Sequence, residues 1–99
     1  MIYLEIDAVV VNVNTLDRHG LDQIDETEDG LVCCGYIQSR TQLEALMADD
    51  YVTILAVYIT SEYKDLFSGM TMWVSSEDGY GMDNEDNDMD KVLEIILKT

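Results

Sequence analysis

The strongest apolar pattern in the chain covers Tyr51–Thr60, ten residues without a charged side chain. Alternate positions fall into two sets, and both sets are largely apolar. The sets are Val52, Ile54, Ala56 and Tyr58, and Tyr51, Leu55, Val57 and Ile59. A strand with one buried face alternates apolar and polar residues, whereas a strand covered on both faces is apolar throughout. The pattern therefore predicts a central strand that is buried on both faces.

The segment Met1–Asn14 begins with a regular strand alternation, in which Glu5 and Asp7 share the face opposite the apolar residues. From Val9 onward the outward positions also become apolar. Either a bulge shifts the phase of the strand at this point, or its second half is covered on both faces.

Two further segments have strand patterns. Leu31–Gln38 is rich in apolar residues, and Gly35 within it indicates a bulge or a close approach of another group to the backbone. Met70–Ser75 alternates between an apolar set and a mixed set, which predicts the last strand.

Helix signals separate and follow these strands. Capping-box patterns predict a helix that begins near Ser39 or Thr41. Ser61 is a candidate N-cap for a second short helix. Lys91–Thr99 has helical spacing of its apolar residues, although its β-branched content leaves a strand as the alternative. The predicted order is β-β-α-β-α-β-α. This order predicts an α+β or α/β fold with a single sheet of about four strands and two to three short helices.

Length and composition indicate one compact acidic domain over residues 1–99. The chain has no proline, six glycines and 47% hydrophobic residues, which is ordinary for a folded protein. Two acidic segments, at about 15–30 and 76–90, hold 13 of the 21 acidic residues, and we expect them to be loops, the second of them mobile.

The net charge is the most unusual property of the sequence. Twenty-one acidic residues against five basic ones give −16 at pH 7. This balance disfavours nucleic acid as a direct ligand, because such binding depends on Lys and Arg that neutralise phosphates. An anionic membrane surface is disfavoured for the same reason. The expected partner is a basic protein, and no cofactor is expected.

Two adjacent cysteines, Cys33 and Cys34, are the only ones in the chain. Neighbouring cysteines form a disulfide only through a strained ring, so we expect reduced thiols. No disulfide framework, secretory signal pattern or apolar run of about 20 residues is visible. A cytoplasmic location is the resulting expectation.

The acidic residues are the main candidate for a binding surface. Lys and Arg side chains that hold phosphate also bind carboxylates, Arg often through two parallel hydrogen bonds. Glu5 and Asp7 lie two residues apart on one strand face, about 6.6–6.8 Å along the strand, which is comparable to neighbouring phosphates on a DNA strand. The candidate partner-binding residues are Glu5, Asp7, Asp25, Glu26, Glu28, Asp29, Glu77, Asp78, Tyr80, Asp83, Glu85, Asp86, Asp88 and Asp90. The alternative is that these acids only solvate two loops.

Two near matches to a calcium-binding loop occur in the acidic segments. The first begins at Asp25 and has Tyr36 at its twelfth position, where a bidentate Glu is needed. The second begins at Asp83 and has Asp88 where a Gly is needed. We do not expect a specific metal site from either segment.

Catalytic patterns are weak. His19 is the single histidine and lies in a polar segment, which is typical of a surface residue. A nucleophilic cysteine needs an electropositive setting, and the acidic chain supplies the opposite. We therefore do not expect an enzyme.

Three aromatic residues are candidate interface anchors. Tyr3 and Trp73 are predicted on strand faces opposite the core, where either helices cover them or they are free to bind a partner. Tyr80 lies between two glycines in the second acidic segment, so we expect it to be exposed.

In size, charge and compactness the chain resembles the phage- or plasmid-encoded acidic proteins that block restriction enzymes, CRISPR complexes or DNA repair enzymes. That resemblance implies an inhibitor of the DNA-mimic type, which occupies the nucleic-acid-binding surface of a basic protein. Two alternatives stay open. One is an immunity or antitoxin protein against a basic nuclease toxin. The other is a calcium-binding or housekeeping domain whose acids are merely solvated.

Overall fold

The computed structural model describes residues 2–99; Met1, which begins the first predicted strand, lies outside the described residues. Residues 2–99 form one six-stranded antiparallel sheet, with the strands in the order β2-β3-β1-β4-β6-β5. The strands are β1 (Leu4–Val10), β2 (Asp22–Thr27), β3 (Gly30–Ile37), β4 (Val52–Thr60), β5 (Trp73–Ser76) and β6 (Gly79–Asp83). The helices are α1 (Val13–Arg18), α2 (Arg40–Ala48), α3 (Met89–Leu97) and the 3-10 helix Ser61–Phe67. The predicted mixed fold is confirmed as α+β.

One face of the sheet is buried beneath the helices. In β1 the residues from Leu4 to Val10 alternate between buried apolar positions and half-buried positions, as a strand with a single core face requires. Side chains of the helices join the same buried cluster. They include Leu43 and Leu46 of α2, Phe67 of the 3-10 helix, and Val92, Leu93 and Ile96 of α3. We refer to these helices, together with α1, whose Leu16 packs against the same cluster, as the helical layer.

The central strand β4 is not buried on both faces, and that prediction is wrong. The pairing between β1 and β4 shifts by one residue, so that Asp7 lies opposite Ala56 and Ala8 opposite Ile54. Leu55 is the extra residue of this bulge. The bulge reverses the alternation, so that Val57 follows Ile54 on the core face. When a bulge reverses the alternation within a strand, the core-facing apolar residues fall into both alternating sets. The uninterrupted apolar run of β4 therefore comes from the bulge and not from burial of both faces.

The sheet has six strands instead of about four, because both acidic segments contain a strand. The first segment contains α1 and β2, and all six residues of β2 are exposed at the sheet edge. The second contains β6, which lies between β4 and the edge strand β5. The predicted element order is therefore incorrect at both places.

The capping signal at Ser39 is confirmed, whereas the N-cap prediction for Ser61 is wrong. Ser61 is the first residue of the 3-10 helix, and the preceding Thr60 makes no side-chain capping hydrogen bond. The Ser39 side chain accepts a hydrogen bond from the backbone N–H of Gln42, so α2 begins where the capping box predicts. The C-terminal segment is a helix, and the strand alternative is excluded. Its N-cap is Asp88, whose carboxylate accepts from the N–H of Asp90.

Gly35 in β3 allows another side chain to approach the backbone closely, which confirms one of the two predicted alternatives. A Cβ atom at this position would lie 2.5 Å from Cδ2 of Leu21, a buried residue that follows α1. Leu21 thus covers the core face of β3 at a point where only glycine leaves room.

Candidate functional site: the open face of the sheet

The second face of the sheet has no helix packed on it within residues 2–99. In β1 and β3 the residues that point to this side are half-buried or exposed, whereas most residues on the opposite face are buried. Tyr3 and Trp73 are on this side and are 51% and 38% exposed, so the helical layer does not cover them. We call this surface the open face; its main side chains are Tyr3, Glu5, Asp7, Asp22, Asp25, Cys34, Tyr36, Tyr58, Trp73 and Asp83.

A row of carboxylates runs across the open face perpendicular to the strands. Asp7 of β1 lies opposite Cys34 of β3, and Cys34 lies opposite Asp22 of β2. On its other side, Asp7 pairs with Ala56, which pairs with Asp83 of β6. Since neighbouring strands lie about 4.8 Å apart, the three carboxylates recur on every second strand at intervals of about 9.6 Å.

An aromatic row runs parallel to the carboxylate row. Glu5 lies between Tyr36 and Tyr58 on the two neighbouring strands, and Tyr58 pairs with Gly81, which pairs with Trp73. The Tyr58 and Trp73 rings meet edge to face with centroids 5.9 Å apart. These rings give the acidic surface flat apolar areas of the kind that anchor protein interfaces.

Tyr58 and Asp7 connect the two rows. The Tyr58 hydroxyl donates a hydrogen bond of 2.7 Å to Oδ2 of Asp7. Burial, the bond to Asp7 and the charges of Asp7, Glu5 and Asp83 raise the pKa of Tyr58 well above its usual value. The phenol therefore stays protonated and holds the carboxylate in a fixed position.

The pKa values of both thiols and of the Tyr36 phenol are also raised, which favours the neutral form of each group. Burial, followed by the charges of Cys34 and Asp7, raises the pKa of Cys33 to about 11. Burial and three carboxylates raise the pKa of Cys34, and the charge of Glu5 is the main cause that raises the pKa of Tyr36. Neither thiol is activated as a nucleophile, since the thiolate is the reactive form.

All five basic residues belong to the helical layer, none to the open face. Arg18 is in α1, Arg40 in α2, Lys64 in the 3-10 helix, Lys91 in α3 and Lys98 at its C-cap. Several have contacts within that layer. Arg18 pairs with Asp49 at 3.0 Å, Lys98 pairs with Glu94 at 3.0 Å, and Arg40 donates to the carbonyl of Leu97. The basic residues therefore lie on the helical side, which also carries acids such as Asp17, Glu44 and Asp65, whereas the open face has carboxylates and no Lys or Arg.

The structure distributes the predicted site residues over three regions. Glu5, Asp7, Asp25 and Asp83 come together on the open face, through strands that are far apart in the sequence. The turns of the two hairpins carry a second group, made of Glu28, Asp29, Glu77 and Asp78, with Glu26 beside them in β2. The third group surrounds the start of α3 and contains Glu85, Asp86, Asp88 and Asp90.

Several of these acids have clear local structural roles. Oδ1 of Asp83 accepts hydrogen bonds from the backbone N–H groups of Glu85 and Asp86 at 3.2 and 3.0 Å. Asn87 donates to the carbonyl oxygens of Thr71 and Asp83, which ties the turn to the segment before β5. The turn after β6 therefore has a defined conformation built by side chains.

Tyr80 differs from its prediction. It pairs with Ile59, so its side chain lies on the core side of the sheet, where it packs half-buried against the core. The Lys64 ammonium lies 5.0 Å from the centroid of its ring. Tyr80 is thus a contact between β6 and the helical layer, because its place in the strand alternation is opposite to that of Trp73.

Three residues of the open face were not predicted as site residues from the sequence. Asp22 was placed in a loop because β2 has no apolar alternation. Tyr58 was assigned to the same face as Ile54, and the bulge at Leu55 reverses that assignment. Tyr36 alternates with the apolar residues of β3, so the period of two in that strand was a signal that could have identified it.

His19 is also more constrained than a surface loop residue. It is the C-cap of α1, and its side chain is only 7% exposed. Its Nε2 atom lies 2.7 Å from Oδ2 of Asp49, the residue that ends α2. This hydrogen bond, followed by one from the backbone N–H of Tyr51, holds the pKa of Asp49 below its usual range. The cluster joins two helix ends on the side of the helical layer.

Potential metal ligands do not converge in the described part of the chain, where no three His, Cys, Asp or Glu side chains form a group suited to a metal ion. In the first calcium-like segment, Asp25 instead accepts a hydrogen bond of 2.7 Å from the N–H of Glu26. None of the helices in residues 2–99 has the length and apolar character needed to cross a membrane.

The fold and the open face together define a small acidic α+β protein with a half-covered antiparallel sheet. Comparison of the chain with protein-family models, curated proteins and solved structures gave no match.

Proposed function

We propose that this protein is an acidic binding protein whose open face docks on the basic, nucleic-acid-binding surface of another protein and excludes nucleic acid from it. The observation that carries this proposal is an open face with carboxylates and aromatic rings but no basic residue. Carboxylates and aromatic rings share the open face, whereas every Lys and Arg belongs to the helical layer. An evenly solvated acidic protein has no need for such an arrangement.

The chemistry of the open face suits a surface that normally holds phosphates. Lys and Arg that bind phosphate oxygens form equivalent charge-assisted hydrogen bonds with carboxylates. Asp22, Asp7 and Asp83 are fixed on three strands of one sheet, so the partner meets an ordered set of charges. Because little chain entropy is lost on binding, a preorganised surface of this kind retains more of its interaction energy than two mobile loops.

Aromatic residues support an interface in preference to simple solvation. Exposed Tyr3, Tyr36 and Trp73 stand among the carboxylates, and Tyr and Trp are enriched at the energetic centres of protein interfaces. Electrostatic attraction would bring the basic partner to the open face rapidly, and the association rate should fall as the salt concentration rises.

Affinity capture tests the proposal. The protein is immobilised, a host lysate is applied at low salt, and bound proteins are eluted with a salt step. We expect a basic nucleic-acid-binding protein in the eluate. The purified partner is then saturated with a labelled DNA or RNA ligand, and the acidic protein is added. Release of the nucleic acid is the expected result.

Two outcomes would contradict the proposal. A captured nuclease that loses activity but keeps its nucleic acid bound would indicate an immunity protein that binds beside the nucleic-acid site. Failure to retain any basic protein at low salt would indicate that the acids serve only solvation.

A further inference from the structure

A cavity of about 440 Å³ opens on the open face at the end of the sheet that carries the aromatic residues. Its volume is within the range of small-ligand sites, about 300–1,000 Å³. Tyr3 and Tyr36 form one wall, and their rings stack with centroids 5.6 Å apart and an interplanar angle of 19°. Tyr58 lies on the far side, across Glu5. The cavity is therefore bounded by flat aromatic surfaces on two strands.

Carboxylates line the same cavity. Glu5 stands between the rings of Tyr36 and Tyr58, and Asp7 is adjacent to it on the same strand. Asp78, from the turn between β5 and β6, contributes a third carboxylate. None of the described residues that line the cavity is basic. The hydrogen bond from Tyr58 uses one of about four acceptor positions on Asp7, which leaves the carboxylate able to bind a further donor.

We propose that this cavity receives an arginine side chain of the protein partner, with the guanidinium stacked on tyrosine and hydrogen-bonded to the carboxylates. The proposal deepens the proposed function and rests on it, because it names the group that anchors the partner. Charge complementarity excludes an anionic occupant, and a second copy of this chain would bring an equally acidic open face to the cavity.

Arginine fits the cavity better than lysine. The guanidinium is planar, stacks on aromatic faces and presents its donors in a fork that matches a carboxylate. The lysine ammonium is a compact and strongly hydrated charge, and it gains less from a flat ring. Tyr36 and Glu5 provide the two complementary surfaces side by side, since they are directly paired across β1 and β3.

Short peptides test the cavity without the partner. The intact protein, labelled with ¹⁵N, is titrated with acetyl-Gly-Arg-Gly-amide and, separately, with acetyl-Gly-Lys-Gly-amide. Trp73 is the single tryptophan and touches Tyr58, so its fluorescence gives an independent signal beside the cavity. We expect saturable shifts of the amides around Tyr3, Glu5 and Tyr36, with the arginine peptide bound about threefold more tightly or better.

Matched variants assign the binding to the cavity. Tyr36→Ala should weaken the arginine peptide by about two- to fivefold, the value of one exposed cation–π contact. Tyr51→Ala is the control, because Tyr51 is equally exposed, at 54% against 55% for Tyr36, but does not line the cavity. This control should bind as the wild type does. Equal affinity for the two peptides, or an equal effect of the two substitutions, would overturn the proposal.

The cavity proposal and the proposed function are contradicted by different results. If the wild-type protein captures a partner and releases its nucleic acid, and Tyr36→Ala does so equally well, the cavity proposal is wrong and the proposed function stands. If the arginine peptide binds at the cavity but no partner is captured, the proposed function is wrong.

Discussion

The position of Trp73 over Gly81 offers a sharp test of how the aromatic row is built. A Cβ atom added to Gly81 would lie 2.4 Å from Cζ2 and 2.6 Å from Cε2 of the tryptophan ring. Non-bonded carbon atoms are at their best about 3.5–4.0 Å apart, so the ring must move by about 1 Å or more. The substitution Gly81→Ala should therefore displace Trp73 from its contact with Tyr58.

The cost of this substitution can be worked out from three contributions. Overpacking costs about 1–3 kcal/mol, and loss of the edge contact with Tyr58 costs about 0.5–1.5 kcal/mol. Replacing glycine by alanine within a strand stabilises the folded state by about 0.5–1 kcal/mol. Because the ring can relieve part of the clash by moving outwards, the overpacking cost should be near its lower limit. We expect Gly81→Ala to lower the free energy of unfolding by about 1–2 kcal/mol.

A double-mutant cycle isolates the contact. In a Trp73→Ala background the clash is absent, so Gly81→Ala should stabilise the protein by about 0.5–1 kcal/mol, a reversal of sign. Urea unfolding followed by far-UV circular dichroism measures all four proteins, including those without tryptophan. In the Gly81→Ala single variant, tryptophan emission should also shift to longer wavelength as the ring becomes more exposed. The same effect of Gly81→Ala in both backgrounds would refute the described packing.

Three further predictions concern individual side chains. Tyr58→Phe removes the hydrogen bond to Asp7 and should cost about 1–2 kcal/mol in urea unfolding. Because folding raises the pKa of Tyr58, wild-type stability should also fall as the pH rises above about 10. The loss of stability should be shallower in the Tyr58→Phe variant, and equal alkaline slopes in the two proteins would contradict this. Asp88→Ala should destabilise the protein by about 1 kcal/mol through loss of the α3 cap, whereas Asp88→Asn should leave urea stability nearly unchanged; equal effects would exclude a capping role. Folding lowers the pKa of Asp49 beside His19, so the stability that its carboxylate contributes is present above about pH 4 and is lost as the pH falls. Asp49→Asn should therefore make stability fall less steeply with decreasing pH. An unchanged acid dependence would contradict the pairing with His19.

Elements with a clear apolar period were predictable from the sequence. The alternation from Leu4 to Val10 identifies β1 and its core face, and Ser39 marks the start of α2 through a local hydrogen bond that depends on few neighbours. These features are set within a few residues, so the sequence alone carries them.

Features that depend on pairing between distant strands were not predictable. The edge strand β2 is exposed along its whole length, so no apolar pattern distinguishes it from a loop. The bulge at Leu55 is defined only by the register against β1, and it decides that Tyr58 faces Asp7. The carboxylate row, which joins β2, β1 and β6, could not be recognised without these pairings.

The role of the open face can be tested by displacing labelled nucleic acid from the captured partner with two charge-matched variants. One variant carries Asp7→Asn, Asp22→Asn and Asp83→Asn on the open face. The other carries substitutions at exposed acids of the helical layer, namely Asp17→Asn, Glu44→Gln and Asp65→Asn. Both lose three negative charges, so any general effect of net charge is the same.

If the open face binds the partner, half displacement should need about tenfold more of the open-face variant than of the wild type. The helical-layer variant should act at about the same concentration as the wild type. Circular dichroism spectra and urea midpoints confirm that both variants are folded. Equal losses in the two variants would show that only total charge matters and would contradict a binding role for the open face.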